Sequence, residues 1–280
     1  MKGRARSPES LPAYDLIAMD VDGTLLDSQG FISKGAQEAI SWAQKLGVKV
    51  ALVTGRSLFN LQHIVTELNL NGPFIGSGGA VISNLGSGEV ILHRTLPFEE
   101  VKTLVRLCRD LDVALFLDHS DYMMCEKETP EMTQAKEAHE YTWDCVPDLI
   151  KAVETLPEKG LVLGDNKKLV KLVQYYKTSD HQVDLTFTGF TSLDILPKGV
   201  GKGIALKILS DHLKISRKRI AVMGDYLNDL DMFKMAGTAI AMGNAPREVK
   251  EVADFVAPAN DKGGVAWALH KLLDNAQEKA

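Results

Sequence analysis

Strand-length apolar runs at 16–20, 48–53 and 220–223 alternate along the chain with segments whose apolar residues recur at helical spacing. A run without polar alternation is buried on both faces, which calls for a parallel sheet with helices packed on either side. The pattern therefore predicts an α/β fold. After the first run, Ser33 reads as the N-cap of a helix carrying Ala36, Ala39, Ile40 and Ala43, which Gly47 ends. After the second, Thr54-Gly55-Arg56-Ser57 turns the chain. Ser57 reads as the cap of a helix with Leu58, Leu61, Ile64, Val65 and Leu68 on one side. Together these make a right-handed β-α-β unit.

The alternation breaks near the clusters Gly76-Ser77-Gly78-Gly79 and Gly86-Ser87-Gly88 and resumes after Pro197. One Rossmann-like core, 14–83 and 191–280, is thus expected to be split by an α+β insert at 84–190. Within the insert, helices are expected near 97–110 and 166–177, with a further helical stretch around 130–155. Residues 1–13, with Arg4, Arg6, Ser7, Pro8 and Pro12, read as a loose tail, with a transit segment as the alternative.

Charge narrows the partners. The chain carries a formal −5, and the expected insert, with 12 Lys and Arg against 19 Asp and Glu, carries −7. No positive field exists to gather nucleic acid or an anionic membrane. No apolar run approaches the ~18 to 20 residues of a membrane helix. Cys108, Cys125 and Cys145 are odd in number and lack CxxC spacing, which argues against a disulfide framework or zinc knuckle and for a reducing, cytoplasmic setting. Oligomeric state has no signal here; a monomer and a weak dimer are both compatible.

Polar clusters sit at Asp20/Asp22, Thr54, Lys202 and Asp225/Asp229. The first, second and fourth directly follow apolar runs, where an open α/β sheet gathers its functional residues. Gly23 lets the chain turn after Asp22, so both carboxylates can address one substrate. A carboxylate is a serviceable nucleophile toward phosphorus, which suits Asp20. A second can protonate the leaving alkoxide and then deprotonate water, which suits Asp22. Carboxylates would repel a phosphate unless a cation stood between them; Mg²⁺ prefers oxygen ligands, and Asp225 can supply one, with Asp229 orienting water behind it. Lys202, the Thr54 hydroxyl and backbone N–H groups offer donors to the equatorial oxygens.

These segments resemble the motifs of the haloacid dehalogenase superfamily, and the chain over 14–275 is similar to its Cof-type branch (subfamily IIB, with a C2B-type cap). The matches are Asp20-Val21-Asp22-Gly23-Thr24-Leu25, Val53-Thr54-Gly55-Arg56, Pro197-Lys198-Gly199-Val200-Gly201-Lys202-Gly203 and Gly224-Asp225-Tyr226-Leu227-Asn228-Asp229, in that order. Met242-Gly243-Asn244-Ala245 and Asn260-Asp261-Lys262-Gly263-Gly264-Val265 also resemble that branch. The resemblance implies a Mg²⁺-dependent phosphatase acting on a small phosphomonoester, a sugar phosphate or a phosphorylated flavin or nucleotide precursor. It implies Asp20 as nucleophile, Asp22 as acid/base whose backbone carbonyl also binds Mg²⁺, and Asp225 as the remaining ligand. Thr54, Gly55, Lys202 and Asn228 would hold the phosphoryl group. Gly201 and Tyr226-Leu227 depart from the branch without removing a catalytic group, and Tyr226 either tunes access to the metal or simply packs.

Taken singly, each cluster has a plainer reading: an Asp-Gly turn, a Thr54 helix cap, a solvated Lys202, favourable helix-start charges at Asp225 and Asp229. The segment 199–203 lacks P-loop spacing, and His139-Glu140 lacks the second histidine of a zinc-protease helix, Trp143 standing there instead. Asp118-His119-Ser120-Asp121 reads as a solvated turn, and His93, His139 and His181 as structural or surface groups. Two rivals remain: a sugar phosphomutase, which needs a second phosphate site, and a non-catalytic phospho-ligand-binding protein, expected to have lost a motif carboxylate.

Overall fold

The structure, a computed structural model, describes residues 14–128, 142–178 and 180–274. The expected tail at 1–13, His139 and the 130–141 part of the expected helical stretch lie outside the described residues.

The chain opens with β1 (Leu16–Met19), β2 (Lys49–Val53), β3 (Pro73–Gly76), β4 (Val81–Asn84) and β5 (Val90–His93). It continues through β6 (Ala114–Asp118), β7 (Met123–Cys125), β8 (Asp144–Cys145), β9 (Lys159–Leu163), β10 (Val183–Phe187) and β11 (Ser192–Pro197). The last strands are β12 (Ile220–Gly224), β13 (Thr238–Ala241) and β14 (Phe255–Val256). The first sheet has the order β14-β13-β12-β1-β2-β3-β4-β5, parallel as far as β3 and antiparallel beyond it.

β1 lies between β12 and β2, and all four of its residues are buried, as a continuous apolar run requires. Alternation sends Ile17 and Met19 to one face, against the helices Lys34–Lys45 and Gly264–Leu273. Leu16 and Ala18 go to the other, with the helices Lys202–His212 and Leu230–Met235. Ser33 caps its helix as expected, its Oγ accepting the Ala36 N–H at 3.2 Å. Ser57 does not. A short 3₁₀ turn, Phe59–Leu61, precedes the helix Gln62–Glu67, and neither start has a side-chain cap. The Ser57 hydroxyl instead accepts the Asn60 side-chain amide at 3.2 Å.

The second sheet has the order β10-β11-β9-β6-β7-β8, antiparallel apart from the β7/β8 pair. Leu115, Leu117, Val162 and Ile195 face the helices Phe98–Leu111 and Asn166–Tyr176; Phe116, Met123 and Cys125 face the opposite way. β5 pairs within the first sheet and β11 within the second, so the divisions expected at 84 and 190 each fall a strand early. The cluster Gly86-Ser87-Gly88 turns a hairpin between β4 and β5. We therefore place the ends of the insert after β5 and after β11. Where the expected helical stretch is described, it holds β8 and only the short helix Leu149–Ala152.

Candidate active site

Parallel pairing of β1 with β12 sets Met19 beside Met223, so the residues that follow meet at the carboxyl edge of the sheet. Asp20 leaves β1 there and enters the tight turn Val21–Leu25, in which Gly23 has φ +76°. A Cβ at Gly23 would strike the Asp225 carboxylate. Asp20 is 6% exposed, and Lys202 Nζ donates to its Oδ1 at 2.8 Å and to Asp229 Oδ1 at 2.7 Å. The other Asp229 oxygen accepts the backbone N–H groups of Asp225 and Tyr226 at 2.9 and 3.1 Å. Asp225 Oδ1 accepts the Thr24 hydroxyl at 2.8 Å, and Asn244 Nδ2 donates to the Gly23 carbonyl at 2.8 Å. Lys202 is thus a buried counter-ion, and Asp229 is occupied in holding it and the turn after β12.

Burial raises the Asp20 carboxyl well above the usual carboxylate range, against the pull of Lys202, with Asp229, Asp225 and Asp22 adding their repulsion. Burial likewise raises Asp225 to about 7. Burial opposes the charge of Lys202, yet Asp20 and Asp229 hold it protonated, above its usual range. Carboxylate oxygens of Asp20, Asp225 and Asp229 lie within 4.8 Å of one another. All-oxygen donors crowded against their own repulsion fit a small divalent cation, which would relieve it.

The other sequence-predicted residues are distributed around this centre. Asp22 lines the cavity above it, its carboxylate gripped by the Arg56 guanidinium, with Nε 2.9 Å from Oδ2. Gly55 and Asn228 also line the cavity, and Asn228 Oδ1 is buried with no hydrogen-bond partner. Thr54 is fully buried at the end of β2 and does not line the cavity; its hydroxyl accepts the Arg56 N–H at 3.1 Å. Tyr226 lines the cavity, which favours the access reading over plain packing.

The cavity, about 500 Å³, is roofed by the second sheet through Phe116, Asp118, Lys159, Leu161 and Asp194. Here the structure corrects the sequence. Asp118 and His119, expected in a solvated turn, are 1% and 3% exposed, because the end of β6 is pressed against the core. Burial pushes the Asp118 carboxyl up to about 7 despite Lys159, and pushes His119 down to about 4. His93 and His181 are structural, facing Glu158 at 3.1 Å and Glu100 at 3.1 Å. Sequence reasoning missed the role of Arg56, which stood in a quoted motif, and the Lys159–Asp194 pair, whose partners lie on different strands with no spacing to betray them.

A family model described as haloacid dehalogenase-like hydrolase matches residues 17–269. The chain belongs to this family. A Bacillus subtilis relative named 5-amino-6-(5-phospho-D-ribitylamino)uracil phosphatase is 30% identical, covering 92% of this chain and 97% of its own. The crystal structure of a haloacid dehalogenase-like hydrolase from Bacteroides thetaiotaomicron superposes with a TM-score of 0.83 at 26% identity, covering 93% of this chain and 100% of its own. A solved sugar phosphatase of subclass IIB, 21% identical, shares the fold with a TM-score of 0.82 over 92% of this chain and 98% of its own. The fold is the α/β core of this family with a subclass IIB cap, and the chain is an enzyme of its phosphatase type.

Proposed function

We propose that this phosphatase hydrolyses a small phosphomonoester with Mg²⁺, through an aspartyl-phosphate formed on Asp20. The observation that carries the reading is the convergence of Asp20, Lys202 and Asp225 beneath a roofed cavity large enough for a small organic phosphate. Asp20, Asp225 and the backbone at Asp22 would hold the cation, which supplies charge compensation for the phosphoryl oxygens; Asp229, already committed to Lys202 and two N–H groups, would stand behind them. Lys202, protonated and fixed, donates to a phosphoryl oxygen and lowers the repulsion between Asp20 and its target. Asp22, at the cavity edge, carries the proton to the leaving oxygen and later receives one from water, with Arg56 governing which way its carboxyl points. The Asn228 side chain and the Gly55 backbone complete the phosphoryl cradle. Thr54 contributes by fixing the turn that presents Gly55 and Arg56.

Hydrolysis is favoured over mutase chemistry because Lys159, the cation the roof brings to the cavity among the described residues, is bonded to both oxygens of Asp194. The four motif carboxylates speak against a silent binder. Among the described residues no helix is long and apolar enough to cross a membrane, and we place the enzyme in the cytoplasm on its thiol usage. The test is a screen of phosphorylated metabolites with Mg²⁺, reading inorganic phosphate. Asp20→Asn keeps the shape and should lower turnover by about 10³-fold or more. Equal rates in both proteins would refute Asp20 as nucleophile, and isomerised product without phosphate release would restore the mutase.

A further inference from the structure

β8 ends the second sheet, held by a short parallel pairing with β7 in which Met124 stands beside Asp144 and Cys125 beside Cys145. Neighbouring strands run about 4.8 Å apart, inside the ~4.4 to 6.8 Å between Cα atoms that a disulfide spans. The two thiols also point the same way, with Cys125 Sγ and Cys145 Sγ 3.3 Å apart. Closing them to a bond of ~2.0 Å is within reach of side-chain rotation. Sequence spacing hides this pair, because its members stand on different strands and not in a CxxC segment.

Their surroundings divide the chemistry between them. Cys125 is fully buried and Cys145 is exposed. Burial, and then the hydrogen bond to Cys145, pushes the Cys125 thiol up to about 12, so it keeps its proton and donates it to the Cys145 sulfur. Cys145 is left as the sulfur that meets an oxidant from solvent. Cys108 is buried on the helix side of the sheet, away from both.

Strand alternation puts Trp143 on the same face as Cys145, and Met123 on the same face as Cys125. That face meets the cavity, which both Met123 and Trp143 line. Trp143 is only half-buried and stands edge-on to Phe116, with ring centroids 5.0 Å apart. A half-buried ring beside an edge strand marks the mouth of the cavity, and a pairing this short opens easily.

We propose that Cys125 and Cys145 form a reversible regulatory disulfide, made by hydroperoxides, which pins Trp143 at the cavity mouth and slows the enzyme. The Cys145 thiolate attacks one oxygen of hydrogen peroxide; the O–O bond breaks, and the departing hydroxide takes up a proton as water, leaving a sulfenic acid. The Cys125 sulfur then attacks the Cys145 sulfur; the S–O bond breaks, and the Cys125 proton leaves with the hydroxide as a second water. Two thiols lose two electrons and the peroxide gains them. A reducing compartment keeps the pair open until oxidant appears, and a thiol reductant reopens it by exchange. The effect on turnover rests on the phosphatase reading above; the thiol chemistry does not.

The test treats the purified full chain with hydrogen peroxide, removes the peroxide, and counts alkylatable thiols by mass spectrometry after unfolding. The wild type should keep Cys108 alone of its three thiols, lose the mass of two hydrogens, and recover all three with dithiothreitol. Peptide mapping should join Cys125 to Cys145 within one chain. In Cys125→Ser, dimedone should trap a sulfenic acid on Cys145. Oxidation should lower kcat/KM for p-nitrophenyl phosphate with Mg²⁺ by about fivefold or more, reversibly, because a fixed mouth slows entry and release. Cys145→Ser should keep its rate through the same treatment. A wild type that keeps three free thiols, or that joins two chains instead, overturns the proposal. So does an oxidised protein whose kcat/KM is not lowered, or a loss that Cys145→Ser shares. No phosphate release from either redox state would remove the phosphatase reading and this control of it, while the thiol count would still decide the disulfide.

Discussion

Lys202 Nζ lies between the carboxylates of Asp20 and Asp229, and both of those residues, like Lys202 itself, are buried. Removing one partner from such a cluster leaves the others charged and unpaired in a low-dielectric setting. Lys202→Met should therefore lower stability by about 3 to 5 kcal/mol and turnover by about 100-fold or more. Denaturant melts and phosphate release measure the two losses, and a stable variant with wild-type turnover would show that the ammonium acts in neither. Asp118 offers a pH-dependent counterpart. Its carboxyl titrates at about 7 when folded, because of burial, and near the ordinary ~3.9 when unfolded. The raised value means the folded state holds the proton more tightly. The associated stability is complete below about pH 4 and is lost as pH rises through 7. Asp118→Asn has no such group, so the wild type should lose roughly 2 to 3 kcal/mol more than the variant between pH 5 and pH 8. Parallel stability curves for the two proteins would refute the shift.

At the scale of elements, the strands β1, β2 and β12 could be read from the sequence because each is a continuous apolar run whose ends need no partner to define them. The turn after β1 was equally legible: Gly23 follows two aspartates, and the structure gives it the left-handed backbone the turn requires. Replacing Gly23 by Ala adds about 1 to 2 kcal/mol of backbone strain and drives a methyl group into the Asp225 carboxylate. We expect Gly23→Ala to weaken Mg²⁺ activation more than it weakens folding, seen as a rise in the Mg²⁺ concentration for half-maximal activity of about tenfold or more. An unchanged Mg²⁺ dependence would detach the turn from the metal site. What could not be read locally was sheet membership. β5 and β11 are ordinary short strands, and only the neighbours they pair with decide that one ends the core sheet and the other lies inside the roof. The same blindness hid Asp118: four polar residues in a row look solvated, and only the folded chain shows that the first two are buried while Ser120 and Asp121 stay exposed.

For the molecule as a whole, the question is what keeps the roof over the cavity. Glu158, 1% exposed at the entry to β9, accepts the Ser77 hydroxyl from the core side on one oxygen. Its other oxygen meets His93 Nε2 at 3.1 Å and the Ser120 hydroxyl on the roof side. Its backbone N–H donates to the Asp118 carbonyl at 2.8 Å, so the same residue that clasps the two sheets also supports Asp118 in the roof. Gly55 lies directly beneath the Lys159–Asp194 pair, and a side chain at that position would press on Asp194 Oδ2. The two halves are therefore in close register where the phosphate is expected to sit. Glu158→Gln keeps the shape but removes the charge and turns one acceptor oxygen into a donor, so the hydroxyl of Ser77 or of Ser120 must reverse its direction and the remaining bonds lose their charge assistance. A weaker clasp should open the roof more often. Water then reaches the site, and ground-state binding suffers before the chemistry does. The expected outcome is a KM raised by about tenfold with a smaller change in kcat, and faster amide exchange in β6 and β9 than in β1 and β12. If KM and the exchange pattern both stay at wild-type values, the roof is held by its apolar packing and not by Glu158.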